Sequence, residues 1–193
     1  MRTRLLISAV ALLLLAFAGH ADSLRQATTT DLFSPDGAYR LRVDPTPGDL
    51  RVTLARKTLG IYLRSWSTSV HMAMFPSNAV IAPDGTFAAL LTGYVQRTRT
   101  ENAILVFNQK GVVVRAIPLT EVFTPVELRS LSTVSGYAWL LSVSLTVQPA
   151  PVLRFSGGSR LIPPPSPGVI YDPPYLPEVR FRIPLPSGPV TRE

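Results

Sequence analysis

A histidine that follows two serines is the first candidate for chemistry in this chain. Ser67, Ser69 and His71 alternate within a short stretch, and a serine hydrolase uses such an imidazole to take the proton of a nucleophilic hydroxyl. The sequence has no Gly-x-Ser-x-Gly nucleophile elbow, and closeness in sequence alone does not make a catalytic pair. We therefore expect His71 to be a loop or half-buried residue, and we predict no catalytic residue.

Two aspartates are the candidates for a metal site. Asp36 and Asp84 each occupy a Pro-Asp-Gly turn, whereas Ca²⁺ takes about six to eight oxygen ligands, usually from several acids close together. Each aspartate is alone in its turn, which favours a turn-forming role for the carboxylate. The sequence also has no Gly-rich phosphate loop and no dinucleotide fingerprint. It predicts no metal and no cofactor.

The other charged residues leave two alternatives open. Twelve acidic residues are scattered along the chain, and a pair of carboxylates a few ångströms apart, as in glycosidases, is the best enzyme alternative. Arg97 and Arg99 flank a threonine in a polar loop, while Arg180 and Arg182 share one face of an alternating segment. Clusters this thin are typical of solvated faces. We expect no nucleic-acid binding, but weak attraction to anionic envelope polymers is compatible with the charge.

The composition is that of a folded domain. Of 193 residues, 46% are hydrophobic and 16% are charged, with a formal net charge of +7, which argues against disorder throughout the chain. There is no cysteine, so disulfides, thiolate metal sites and cysteine nucleophiles are excluded.

Residues 1–21 have the pattern of a secretory signal peptide. Arg2 and Arg4 precede an uncharged run from Leu5 to Ala18, and small residues follow it. The run is shorter than the roughly 20 residues that span a bilayer as a helix. We predict export to the periplasm or the extracellular space. The alternative is an uncleaved segment, which would then be the only attachment to a membrane.

An internal repeat is the most informative feature of the remaining chain. The pattern small-Pro-Asp-Gly-x-aromatic occurs at Ser34–Tyr39 and Ala82–Phe87, and a degenerate copy lies at Thr133–Tyr137. Proline presets the first backbone dihedral of such a turn and glycine accepts the positive φ, and each turn leads into alternating apolar residues that predict a strand. In the first of these strands the alternation places Tyr39, Leu41 and Val43 on one face, with Arg40 and Arg42 on the other. We expect three antiparallel three-stranded meanders in a β-repeat domain at 22–162, with units at about 31–75, 76–131 and 132–162. In the third unit the predicted strands are 137–141, 151–155 and 160–162, and the residues between the first two are expected in a loop.

Three further predictions concern the interior, a helix and the C-terminal part. The second unit is apolar on both faces, so it is expected in the buried middle, with Val112–Val114 in a central strand. Thr124-Pro125-Val126-Glu127 is a capping box with proline at the first helical position. Residues 163–193 contain ten of the 19 prolines and predict a strap or tail, in which Glu178–Ile183 could form an edge strand.

The strand-aromatic pattern behind Pro-Asp-Gly resembles the blade repeat of TolB-type and related secreted bacterial β-propellers. It is also similar to exported bacterial proteins in which one such unit is followed by two apolar strands and a short acidic helix, here Val80–Phe123. The resemblance implies an all-β fold and brings no catalytic residues. A closed propeller needs about four or more blades, so a partial propeller and a β-sandwich-like domain both remain open.

The sequence thus predicts an exported, non-enzymatic β-repeat protein that binds or scaffolds an unknown protein or envelope polymer. Repeated hairpins favour this interpretation, since loops on a rigid β scaffold commonly form contact surfaces. The alternative is a secreted carboxylate-dependent hydrolase that acts on carbohydrate or on a cell-envelope polymer.

Overall fold

The fold is all-β, as the sequence predicts. The computed structural model describes residues 28–72, 74–96, 98, 100–131, 136–159 and 176–193. The predicted signal peptide lies outside these residues. The elements are β1 (Thr30–Phe33), β2 (Tyr39–Thr46), β3 (Asp49–Thr58), β4 (Ile61–Val70), β5 (Asn78–Ile81), β6 (Phe87–Leu91), β7 (Tyr94–Gln96), β8 (Ile104–Asn108), β9 (Val113–Ile117), α1 (Leu119–Val122), α2 (Pro125–Ser130), β10 (Gly136–Ala138), β11 (Leu140–Thr146), β12 (Val152–Gly157), β13 (Val179–Pro184) and β14 (Thr191–Arg192).

Three four-stranded antiparallel sheets make up most of the described structure. Their strand orders are β1-β2-β3-β4, β5-β6-β8-β9 and β11-β12-β13-β14, and β7 pairs with β10 in a small separate sheet. Each four-stranded sheet has one strand more than a predicted meander. We call them the first, middle and third sheets.

The middle sheet is covered on both faces, as its apolar sequence predicts. Ala88 and Leu90 of β6 belong to one core with the first sheet, whereas Ala89 and Leu91 belong to a second core with the third sheet. This split follows from the alternation of side chains along a strand. The result is three layers of sheet rather than the two of a simple sandwich.

The predicted faces of the first sheet are confirmed. Tyr39, Leu41 and Val43 are buried in the core that faces the middle sheet, while Arg40 and Arg42 alternate with them on the other face. The prediction for Val112–Val114 is wrong in one respect: β9 is an edge strand, and Val112, just before it, is 55% exposed.

The third unit departs most from prediction. The strand that follows the degenerate turn, β10, pairs with β7 instead of starting the third sheet. That sheet begins at β11, whose Ser142–Thr146 part was expected in a loop. The proposed strand at 160–162 lies outside the described residues.

The C-terminal residues also require a correction. The alternating segment forms β13, which pairs with β12 on one side and β14 on the other, so it is an interior strand rather than an edge strand. Its alternation buries Phe181 and Ile183 in the second core. Within the predicted strap or tail at 163–193, β13 and β14 therefore belong to the third sheet, whereas residues 163–175 lie outside the described part of the chain.

Two short helices, one more than predicted from the capping box, connect the middle and third sheets. The capping box of α2 is present: the Thr124 hydroxyl accepts from the Glu127 N–H, and the Glu127 carboxylate accepts from the Thr124 N–H at 2.8 Å. Within the described residues, no helix has the length and apolar character needed to cross a membrane.

Candidate functional site

The outward face of the third sheet carries a group of polar side chains that could bind a ligand. Apolar residues of its strands point into the second core, so by the period of two their neighbours point to solvent. We call the residues on this face the Ser/Arg face, and they are Ser142, Ser144, Arg154, Ser156, Arg180 and Arg182. All are at least partly exposed except Ser156, which is 2% exposed.

Strand register places these residues in two rows across the sheet. Ser142 pairs with Ser156, which pairs with Arg180. In the adjacent row Ser144 pairs with Arg154, which lies opposite Arg182. Since directly opposed residues have Cβ atoms about 5 Å apart, hydroxyls and guanidinium groups share one surface.

A shallow cavity of about 220 Å³ lies on this face, lined by Ser142, Ser144, Arg154, Phe155, Ser156, Arg180, Phe181 and Glu193. The Ser142 and Ser156 hydroxyls are hydrogen-bonded to each other at 2.7 Å. Arg154 Nε donates to Glu193 Oε1 at 3.2 Å, and Arg180 Nε lies 3.6 Å from Glu178 Oε1. Three guanidinium groups therefore stand beside two carboxylates, which leaves the face positive and rich in hydrogen-bond donors.

Arg180 and Arg182 keep most of their binding capacity. Both are exposed, and Arg182 donates from Nε to the Thr191 hydroxyl at 3.2 Å. A guanidinium has five N–H donors in a planar fork that matches carboxylate and phosphate oxygens. The arrangement can thus hold an anionic group on arginine while serine hydroxyls bond to neighbouring polar atoms.

The hydroxyls of Ser67 and Ser69 form no hydrogen bond with the imidazole ring of His71. His71 lies in the loop after β4, as predicted, and is more exposed than half-buried, with Nδ1 3.0 Å from the Gly48 carbonyl oxygen. The Ser67 hydroxyl is instead 2.9 Å from the Thr53 hydroxyl. Neither serine is brought to the imidazole as a nucleophile would be.

The turn-forming role predicted for the two aspartates is confirmed. Asp36 accepts from the Ala38 N–H and Asp84 from the Thr86 N–H, both at 3.0 Å. The Ser34 hydroxyl, 2.6 Å from Asp36, together with that N–H holds the pKa of Asp36 below its ordinary value. Both carboxylates are engaged in their own turns, and the described part of the chain has no cluster of three potential metal ligands.

The other carboxyl groups with a perturbed pKa are also shifted downward. Hydrogen bonding to Arg192 lowers the pKa of Glu127 to about 2. Burial raises the pKa of Asp44, but the Thr29 hydroxyl and Arg42 outweigh it and bring the value below the ordinary range. These shifts favour the charged form, which suits ion pairing rather than proton donation.

Sequence reasoning found part of this site. Arg180 and Arg182 do share a strand face, whereas Arg97 and Arg99 lie outside the described residues. The serines and Arg154 were missed. The available signal was the strict alternation Ser142-Val143-Ser144-Leu145-Thr146, which is the pattern of a half-buried strand.

No protein-family model and no curated protein matches this sequence. Among solved structures it is similar to "a putative 6-phosphogluconolactonase from Bacteroides uniformis", with 18% identity, a TM-score of 0.45, and coverage of 89% of this chain and 42% of that one. A second similar structure is the "eukaryotic initiation factor", with 12% identity, a TM-score of 0.34, and coverage of 89% and 46%. The chain thus spans less than half the length of each of these two proteins.

Proposed function

We propose that the protein is an exported, non-enzymatic binding protein that holds an anionic polymer of the cell envelope on its Ser/Arg face. The proposal depends on one observation: two cross-strand rows, each of which combines serine and arginine residues, lie around one cavity. The strand ladders fix the Cα positions of these residues, so the side chains start from a fixed spacing before a ligand arrives. Preorganised donors bind at a lower entropic cost than loop residues do.

The chemistry of the face favours acidic polysaccharide. Arginine binds carboxylate or phosphate, and serine hydroxyls exchange hydrogen bonds with the hydroxyls of sugars. An open cavity on a sheet surface suits a chain that passes across it. The export on which an envelope ligand depends is the prediction made from residues 1–21.

The hydrolase alternative requires a different arrangement. A general acid in a glycosidase needs a carboxyl whose pKa is raised, whereas the three described carboxyls with perturbed values are lowered. Glu193 and Glu178, the two acids beside the cavity, pair with arginines. The alternative gains no support from these residues.

A titration with polygalacturonate as the acidic probe and dextran as the neutral one tests the proposal. We expect the polyanion alone to bind, and the variant R180A/R182A to weaken it five- to tenfold. The variant R51A/R129A removes the same charge from other exposed positions and should change affinity less than twofold. Equal loss in both variants, or none in either, contradicts the proposal. Shortening of the polymer during incubation would favour the hydrolase.

A further inference from the structure

The hairpin between β3 and β4 ends in an unusual turn. We call residues 55–64 the basic hairpin. Leu59 and Gly60 form its tip with φ values of +50° and +85°, and Leu59 is 99% exposed. A tip with two positive φ values favours Asn-Gly or Asp-Gly, because a larger side chain is strained there. Leucine at this position adds strain and contacts no core, so folding does not explain it.

Two further apolar side chains extend from the tip along one face. Ile61 and Leu63 are 60% and 50% exposed. Register pairs them with Thr58 and Arg56, on the same face as the buried pair of Leu54 and Trp66. The apolar face of the first sheet therefore continues past the core that covers it. Single exposed leucines are ordinary, but three at the end of one hairpin form a patch.

Positive charge lies on both faces of the hairpin that bears this patch: Arg56 shares the apolar face, whereas the register places Lys57 and Arg64 on the opposite face. Arg56, Lys57 and Arg64 are exposed and form no ion pair within the described part of the chain. From residue 50 to residue 83 the sequence contains no Asp or Glu. The nearest turns contribute Asp36 and Asp84, whose carboxylates accept hydrogen bonds from their own turns.

We propose that the basic hairpin docks on a lipid surface that contains anionic lipids. Leu59 and its two apolar neighbours would enter the boundary between headgroups and acyl chains, while the three cations contact lipid phosphates. Apolar side chains flanked by lysine and arginine have the chemistry of interfacial membrane binding. This surface lies on the first sheet, away from the Ser/Arg face, and the two proposals fail independently.

The absence of cysteine makes a direct test possible, because one introduced thiol labels one position. The full chain is prepared as Leu59→Cys and, as the control, as Leu141→Cys, a leucine 42% exposed on the third sheet. Each is labelled with a polarity-sensitive fluorophore and mixed with vesicles of phosphatidylglycerol and phosphatidylcholine. We expect a blue shift at position 59, and quenching there by lipid-borne quenchers, with no change at position 141. An aqueous spectrum at position 59 on vesicle-bound protein overturns the proposal, whatever the N-terminal segment does.

Sedimentation with the same vesicles measures the contribution of the patch. All proteins carry the same N-terminal segment, so differences between them report on the hairpin. Without any fluorophore, sedimentation gives the partition coefficient of the protein between vesicles and water. We expect L59N/I61T/L63T to lower this coefficient at least tenfold, and the control V126T/L141S to lower it less than twofold. Equal partitioning of both overturns the proposal. A concentration-dependent dimer that the triple variant abolishes, without vesicle binding by the parent chain, would assign the patch to a second copy instead.

Discussion

The first and third sheets flank the same middle sheet but are assembled in opposite ways. The first sheet uses one continuous stretch, residues 30–70, in which each strand pairs with the next. The third sheet joins β11 and β12 to two strands that begin only at residue 179. Short turns specify the first sheet, whereas burial of distant apolar residues specifies the third. The repeat therefore determines only part of this fold.

The largest expected effect is on stability, and it distinguishes a buried phenylalanine of the third sheet from an exposed one of the first sheet. Phe181 in the third sheet is buried and stacks on Phe155 at 5.1 Å between ring centroids, while Phe33 in the first sheet is 56% exposed. We expect Phe181→Ala to lower the free energy of unfolding by about 3–5 kcal/mol and Phe33→Ala by less than about 1 kcal/mol. Urea unfolding measures both. Similar losses would mean that the third sheet is not held by its core.

The two Pro-Asp-Gly turns provide the next test, because a Cβ added to the glycine would meet a neighbouring side chain in only one of them. Gly37 has open space around a Cβ, but a Cβ on Gly85 would lie 2.4 Å from the Tyr39 ring. Both glycines have positive φ. We expect Gly37→Ala to cost about 1 kcal/mol from strain alone and Gly85→Ala to cost about 2–3 kcal/mol, since the Tyr39 ring must also move. Equal losses in thermal unfolding would contradict the close contact.

The third sheet is also attached to α2 by an ion pair that responds to pH. Arg192 Nη2 donates to Glu127 Oε2 at 2.6 Å, and the pKa of Glu127 falls from 4.5 to about 2. Because folding lowers the pKa of this carboxyl, the ion pair stabilises the protein fully at pH values above the pKa of the unfolded state. This contribution to stability is lost as the pH falls from 4.5 to about 2.

We therefore expect Glu127→Gln to lower stability by about 1–2 kcal/mol at pH 7 and to have little effect near pH 2. The matched change in the first sheet is Asp44→Asn, whose partner Arg42 lies on the same strand. It should cost less than about 1 kcal/mol. Unfolding at pH 7, 4 and 2 distinguishes the two, and a Glu127→Gln effect that is independent of pH would be inconsistent with the pair.

The smallest predicted effect is a gain. Leu59→Asn places a residue that tolerates positive φ at the tip of the basic hairpin, so we expect about 0.5–1 kcal/mol of added stability. The same substitution at Leu141, which lies in a strand, should not stabilise. A loss of stability at position 59 would show that the leucine makes a contact important for folding.

The sequence predicted the first sheet better than the third. The Pro-Asp-Gly turns, the faces of Tyr39 to Val43 and the capping box at Thr124 depend on neighbouring residues, so they could be predicted. The interior position of β13 could not, because it depends on pairing with β12 across more than 20 residues. Trp139, fully buried between β10 and β11, shows the limit: the predicted strand over Tyr137–Leu141 is divided between two sheets.

The candidate site was only partly predictable for the same reason. Two arginines on one strand can be found by counting alternate positions in the sequence. The serines and Arg154, which lie beside them, come from neighbouring strands. Their register is set by the apolar residues on the opposite face, since a shift of one residue would expose them. A ligand surface made by cross-strand pairing requires the sheet to be known first.

We propose that the Ser/Arg face binds acidic polymer, and amide hydrogen exchange with and without polygalacturonate is a direct test of this claim. We predict slower exchange in residues 140–146, 152–157 and 179–192, with the basic hairpin at 55–64 unchanged. Protection that appears on the hairpin or on the middle sheet, while the third sheet exchanges as before, would contradict the claim.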